Sequence, residues 1–147
     1  MNVATGEIKR KRPPRGQLLI VLVSLGIGLL LEIFPPQRIS IVLPIVRSQL
    51  IWASNVAARV LHIERGEPSK YILEYLSYFS RRCRSNVGCY RRSLSAVLYM
   101  AFMGREAYFI IGMGMAPFVS HAWAETLNGE IVGNLSIPEG LSEVLRV

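Results

Sequence analysis

GCYRRSLSAVLYMAFMGREAYFIIGMGMAPFVSHAWAETLNGEIVGN, residues 88–134, decides the fold because its periodicity changes halfway along. In the first part Leu94, Val97, Leu98, Ala101 and Phe102 recur at intervals of three and four. That is the buried face of a helix, opening near Cys89 and closed by Gly104 as its C-cap. From Tyr108 to Met113 the run is short, apolar and rich in strand formers, and Ala116-Pro117 breaks it. Val119 to Thr126 reads as a second strand, Asn128-Gly129 as a hairpin turn, and Glu130 to Asn134 as a third strand. The residues after Asn134 read as a loop and a short tail. A helix followed by a small antiparallel sheet is the order of an α+β fold.

The chain before this stretch is helical and apolar. Ser69 is placed to N-cap a helix carrying Ile72, Tyr75, Leu76 and Phe79 on one face, running out near Arg81-Arg82-Cys83; a loop then leads to Gly88. Gly66-Glu67-Pro68 separates it from an earlier helical stripe, Trp52, Val56, Val60 and Ile63, beside which His62 reads as a hydrogen-bonded structural histidine. Arg38 to Leu50 is apolar, with Pro44 as an interruption. Leu18 to Leu31 is the most apolar run, 14 residues ended by Glu32 after Pro-rich, basic residues 1–16. As a helix it spans about 21 Å, against roughly 30 Å of hydrocarbon in a bilayer. It suits a buried or membrane-surface helix, or an anchor whose N-terminus stays on the basic, cytoplasmic side. A cleaved signal fits less well, since Glu-Ile-Phe-Pro-Pro follows where a small-x-small site belongs. The expected division is residues 1–34 as basic arm and apolar helix, then residues 35–147 as the domain. The expected location is the cytoplasm, with residues 17–34 as the attachment to the inner face of the membrane.

Composition removes several classes of function. At 147 residues and 16.5 kDa the chain holds one domain, with or without an anchor, and is too short for a TIM barrel or a two-domain dinucleotide enzyme. With 51 % hydrophobic and 18 % charged residues it can build a core. Two cysteines, Cys83 and Cys89, and two histidines, His62 and His121, supply neither a zinc set of ordinary spacing nor a disulfide scaffold. No phosphate-binding loop and no GxGxxG is present, and no nucleic-acid module accompanies the net charge of +7. No metal, cofactor or nucleic acid is expected.

The chemistry rests on Cys89, at the opening of a helix, and His121, 32 residues later on a strand. Unpaired backbone N–H groups and the helix dipole at that end favour thiolate, the nucleophilic form of cysteine. A histidine from another element can pair with it and later protonate a leaving amine. If Asn128-Gly129 is a two-residue turn, Leu127 faces Glu130 and partner numbers sum to 257, which sets Asn134 opposite Trp123 on the face of His121 and Glu125. Asn134 is then a diagonal neighbour of His121, placed to orient its ring in a Cys-His-Asn arrangement, whereas Glu125 stands about 13 Å along the strand. Ser120, Ala122, Ala124 and Thr126 form the opposite, small-residue face, suited to close packing against a helix. Trp123 reads either as core cover or as a wall of a substrate cleft. Arg91 and Arg92, with Arg81, Arg82 and Arg84, read as a solvated basic face or as a docking site for an acidic peptide.

Two motifs in these residues resemble a known family. Gly88-Cys89-Tyr90-Arg91-Arg92-Ser93-Leu94 is similar to the helix start of lasso peptide leader peptidases, and Pro117-Phe118-Val119-Ser120-His121-Ala122-Trp123-Ala124-Glu125 to their histidine strand. The Cys83/Cys89 pair and Phe34-Pro35-Pro36-Gln37-Arg38 resemble the stand-alone form of these transglutaminase-like cysteine proteases. The resemblance implies a transglutaminase- or papain-like core with Cys89 as nucleophile and His121 as base. It implies removal of the leader from a lasso precursor peptide, delivered by a separate leader-recognition protein, before an ATP-dependent cyclase closes the ring. The family's third residue is usually acidic; here Asn134 stands at that position. A transglutaminase-like acyl transferase or amidase, or a membrane-bound adaptor with a structural Cys89, are the alternatives.

Overall fold

A computed structural model of the chain describes residues 15–31, 33–61, 88–115, 118–132 and 137–147. Three helices precede an antiparallel sheet: α1 (Arg15–Leu31), α2 (Pro36–Leu61), α3 (Gly88–Phe102), β1 (Ala107–Met115), β2 (Phe118–Thr126) and β3 (Ser142–Arg146). The sheet order is β2-β1-β3. The α+β class is as the sequence predicts. The helix read from Ser69 to Arg82, the loop behind it, and His62, Cys83, Pro117 and Asn134 lie outside the described residues.

α3 is the central element. Every residue from Ser93 to Ala101 is buried, because α1, α2 and the sheet all pack on it. A helix covered on all sides carries small and apolar residues around its whole circumference, and Leu94-Ser95-Ala96-Val97-Leu98 does so. It ends where Gly104 was expected to end it. Gly104, at φ +71°, donates to the Ala101 carbonyl and Arg105 donates to the Met100 carbonyl, which satisfies two carbonyls that the helix end leaves free.

α1 turns one stripe inward: Val21, Ser24, Gly28 and Leu31 are buried, and the Ser24 hydroxyl donates to the Ile20 carbonyl. Gly28 lies so close to α3 that a Cβ there would stand 2.7 Å from Ser95 Oγ. α2 runs unbroken through Pro44, where an interruption was expected. A proline inside a helix costs a hydrogen bond and strain, roughly 3 kcal/mol, and α2 offsets it by docking. Ile39 and Leu43 are fully buried, Arg47 donates to the Ala107 carbonyl and lies over the Tyr108 ring, and the Ser54 hydroxyl donates to the Phe102 carbonyl. The stripe Trp52, Val56 and Val60 faces outward. Gln37–Val60 is also long and apolar enough, by composition alone, to cross a membrane.

The sheet differs from expectation at two places. The third strand is Ser142–Arg146, not Glu130–Asn134, of which the described part makes a single bridge, Glu125 to Ile131. β3 pairs with the central strand, Leu145 opposite Ile111 and Glu143 opposite Gly112, so Val144 is an extra residue bulged out of the ladder. The hairpin after β2 has a three-residue loop. Thr126 N–H donates to the Glu130 carbonyl, the Glu130 N–H to Thr126 Oγ1, and Gly129 sits at φ +80°. Partner numbers therefore sum to 256, one less than a two-residue turn gives, and side chains beyond the turn change face.

Candidate active site

Cys89 is the second residue of α3, half-buried at the end of the helix where N–H groups lack intrahelical acceptors. The next turn of the helix is locked down. The lock is Ser93, one turn after Cys89. Its buried hydroxyl lies 2.8 Å from the Cys89 carbonyl oxygen and 2.9 Å from the Ala122 carbonyl oxygen.

The second of these bonds determines what Cys89 stands beside. In β2 the even-numbered residues direct their backbone groups away from β1: Thr126 N–H donates to Glu130 and the Ala124 carbonyl accepts from Val132. By the same alternation the Ala122 carbonyl points away from β1, where the Ser93 hydroxyl meets it. Ser93 satisfies it, stitching the first turn of α3 to the strand one residue from His121. Tyr90, in that turn, packs edge-on against Phe109 of β1 at 5.1 Å between ring centroids, a second tie between the helix start and the sheet.

His121 lies opposite Gly112 in the β1–β2 ladder. Its Nε2 is shut off from solvent and has no hydrogen-bond partner among the described residues. Burial lowers its pKa below the usual imidazole value, and the positive charge of Arg92 lowers it further. Both favour the neutral ring, the form that can accept a proton. Arg92 thus acts on His121 from the Cys89 turn, while its Nε donates to the Gly88 carbonyl. Arg91 is half-buried on the same turn.

Trp123 shares the His121 face and is only 6 % exposed. Its six-membered ring covers Gly112: a Cβ there would stand 2.8 Å from the ring and 3.2 Å from Leu141 Cβ. Glu125, on the same face, accepts from the Trp123 ring N–H at 3.5 Å through one oxygen and is held by β3 through the other. It accepts from Arg146 at 3.0 Å, and Arg146 also pairs with Glu143 and lies over the Tyr108 ring. That pairing keeps the Glu143 carboxyl below its ordinary pKa. Glu125 is therefore occupied in joining β2 to β3.

Of the residues singled out by sequence, Cys89, Arg91, Arg92, His121 and Trp123 lie on two elements joined at one corner, and Asn134 lies outside the described residues. Asn134 falls opposite Trp123 only in the 257 register; the 256 register of the turn does not select it. Sequence reasoning passed over Ser93 and Gly112. The signal for Ser93 was its place one helical turn after Cys89, and for Gly112 a glycine in mid-strand, where a close approach is the usual reason. Among the described residues no three His, Cys, Asp or Glu side chains group as metal ligands.

A sequence model described as the transglutaminase-like superfamily matches residues 21–145. No curated protein and no solved structure matches the chain. The matched segment begins within α1 and ends within β3, so it takes in the whole of the other four elements and most of these two.

Proposed function

The chain belongs to the transglutaminase-like superfamily, a fold of the cysteine protease and acyl transferase kind, and from that membership we propose that it is a leader peptidase of lasso peptide maturation. The observation that carries the reading is the Ser93 hydroxyl between the Cys89 and Ala122 carbonyls, which holds a helix-terminal thiol beside the histidine strand. The two motifs around Cys89 and His121 supply the family; the superfamily match supports it at the coarser level.

In this reading neutral His121 takes the thiol proton as Cys89 Sγ attacks the scissile carbonyl of the precursor. The C–N bond then breaks, His121 returns the proton to the departing amine, and the core peptide leaves with a free N-terminus. Water hydrolyses the remaining thioester, releasing the leader as a carboxylic acid and restoring the thiol. The free amine is the group that a cyclase needs for macrolactam closure. By its place at the family's third position, and not by the hairpin register, Asn134 is the proposed orienting residue for His121. Arg91 and Arg92 are the proposed contacts for an acidic leader or for the protein that delivers it.

The test is intact-mass analysis of a lasso precursor incubated with its recognition protein and either the wild type, Cys89→Ala or Cys83→Ala. Cleavage is expected to vanish with Cys89→Ala and to persist with Cys83→Ala. Cleavage surviving in Cys89→Ala overturns the thiol mechanism. An added amine joined to the leader's new C-terminus would identify an acyl transferase instead.

A further inference from the structure

α1 carries two apolar faces, and only one is used by the fold. The inner stripe, Val21, Ser24, Gly28 and Leu31, packs on α3. Leu19, Leu22, Val23, Leu29, Leu30 and, just past the helix, Ile33 are exposed, Leu19 and Leu30 by more than three-fifths of their surface. At about 100° per residue these lie on the side opposite the inner stripe. The outer face of a helix docked on a water-soluble domain is ordinarily polar or charged. Residues 16–31 include no charged residue at all. Immediately before them stand Lys9, Arg10, Lys11, Arg12 and Arg15, and the next helix, α2, has Arg38, Arg47 and Arg59 with no Asp or Glu.

We propose that α1 lies in the plane of an anionic membrane surface, its outer leucines in the boundary between headgroups and acyl chains, while its inner stripe stays docked on α3. An uncharged, large-aliphatic face entered from a run of cations fits that environment, where apolar burial and attraction to anionic lipid add. Spanning is disfavoured by the same geometry. Seventeen residues reach only about 25 Å, less than the roughly 30 Å hydrocarbon core, and crossing would pull Val21 and Leu31 off the domain. A second copy of the chain is the competing occupant, but the flanking cations would then meet like charge. The inference does not depend on the peptidase reading.

The experiment is co-sedimentation of the full chain with vesicles of phosphatidylcholine alone or mixed with phosphatidylglycerol, at low and high salt. Binding is expected to need phosphatidylglycerol and to weaken with salt. Leu30→Glu and Leu19→Glu, at exposed positions, should each weaken binding about tenfold or more with an unchanged circular dichroism spectrum. Replacing Lys9, Arg10, Lys11 and Arg12 by Gln should weaken it by a factor on the order of a thousand, at about 1 kcal/mol per charge. From native membranes, alkaline carbonate should release the protein. Absence of binding to any vesicle, retention after carbonate, or a lipid-free dimer in ultracentrifugation that Leu30→Glu dissociates, would each overturn the proposal.

Discussion

Ser93→Ala removes one oxygen and separates stability from alignment at the corner where the first turn of α3 is tied to β2. The Cys89 carbonyl can still accept from the Ser93 backbone N–H in the helical i to i+4 pattern, so it loses little. The Ala122 carbonyl loses the hydroxyl that bonds it, against a buried helix turn. Leaving such a group unsatisfied costs about 1–3 kcal/mol. For a chain of this size that lowers the melting temperature by roughly 2–4 °C per kcal/mol. The kinetic effect is of a different kind. With the stitch gone the first turn of α3 is free to shift against β2, and a displacement of about 1 Å between reacting groups can cost on the order of a hundredfold in rate. The expected result is a kcat for leader cleavage lowered tenfold or more, with KM little changed, at a temperature where circular dichroism shows the variant folded. Ser93→Thr, which keeps the hydroxyl, should retain more activity than Ser93→Ala even if the added methyl costs comparable stability. A destabilised Ser93→Ala that cleaves at the wild-type rate would refute the claim that this hydroxyl sets the thiol against the histidine strand.

Other outcomes follow from the same contacts. Because burial and Arg92 hold the His121 pKa down, the unfolded chain takes up its proton first; the His121 contribution to stability is complete above about pH 6.5 and is lost as pH falls from there toward the folded-state value, which urea titrations of wild type and His121→Gln should show as a difference confined to acid. Arg92→Gln removes the second cause of that shift and should move the acid limb of the kcat/KM profile to higher pH. Gly112→Ala drives a methyl into the Trp123 ring and Leu141, and should cost about 1–3 kcal/mol in denaturant titration with a change in tryptophan fluorescence. Deleting residues 1–34 takes Val21 and Leu31 from the core, about 1.5–3 kcal/mol each before the half-buried Ile20, Leu25 and Ile27 are counted; against a typical stability of 5–15 kcal/mol the fragment should be unfolded or aggregated, and a soluble, active fragment would show α1 to be dispensable. Asn134→Ala should lower kcat while Asn134→Asp keeps substantial activity; equal, wild-type rates for both folded variants would remove Asn134 from the site.

What the sequence discloses here is whatever a single local pattern controls. The interval of Leu94, Val97, Leu98 and Ala101 marks α3, and Gly104 ends it by the one conformation that a glycine supplies cheaply. The small residues Ala122 and Ala124 announce a strand face that a helix can approach, and α3 does approach it. Features that depend on a partner distant in sequence stay hidden. Ser142–Arg146 has no clean alternation, because the bulge at Val144 resets which residues face inward, and only the ladder to β1 reveals it as a strand. Pro44 is a helix breaker by local rules, but Arg47, Ser54, Ile39 and Leu43 hold the helix through it from outside. The exposed leucines of α1 look like core in one dimension, since hydropathy does not say how many faces of a helix the rest of the chain can cover.

The turn after β2 shows how a small local ambiguity reaches the site. Asn-Gly serves a two-residue turn with both residues at positive φ, and it serves equally a three-residue loop in which glycine alone takes that conformation. The choice falls to Thr126, whose Oγ1 accepts from the Glu130 N–H while its own N–H bonds the Glu130 carbonyl; together these close the longer loop. One residue of register exchanges the two faces of everything that follows, so the residue numbers that would orient His121 cannot be counted from the dipeptide alone. Cys89 and His121 escape this dependence. One is fixed by a helix end and the other by the ladder to β1, and the Ser93 hydroxyl joins those two elements without passing through the turn. The elements that carry Cys89 and His121, the proposed nucleophile and base, are thus positioned independently of the hairpin, and the Asn134 variants test the third proposed residue, which the hairpin register does not supply.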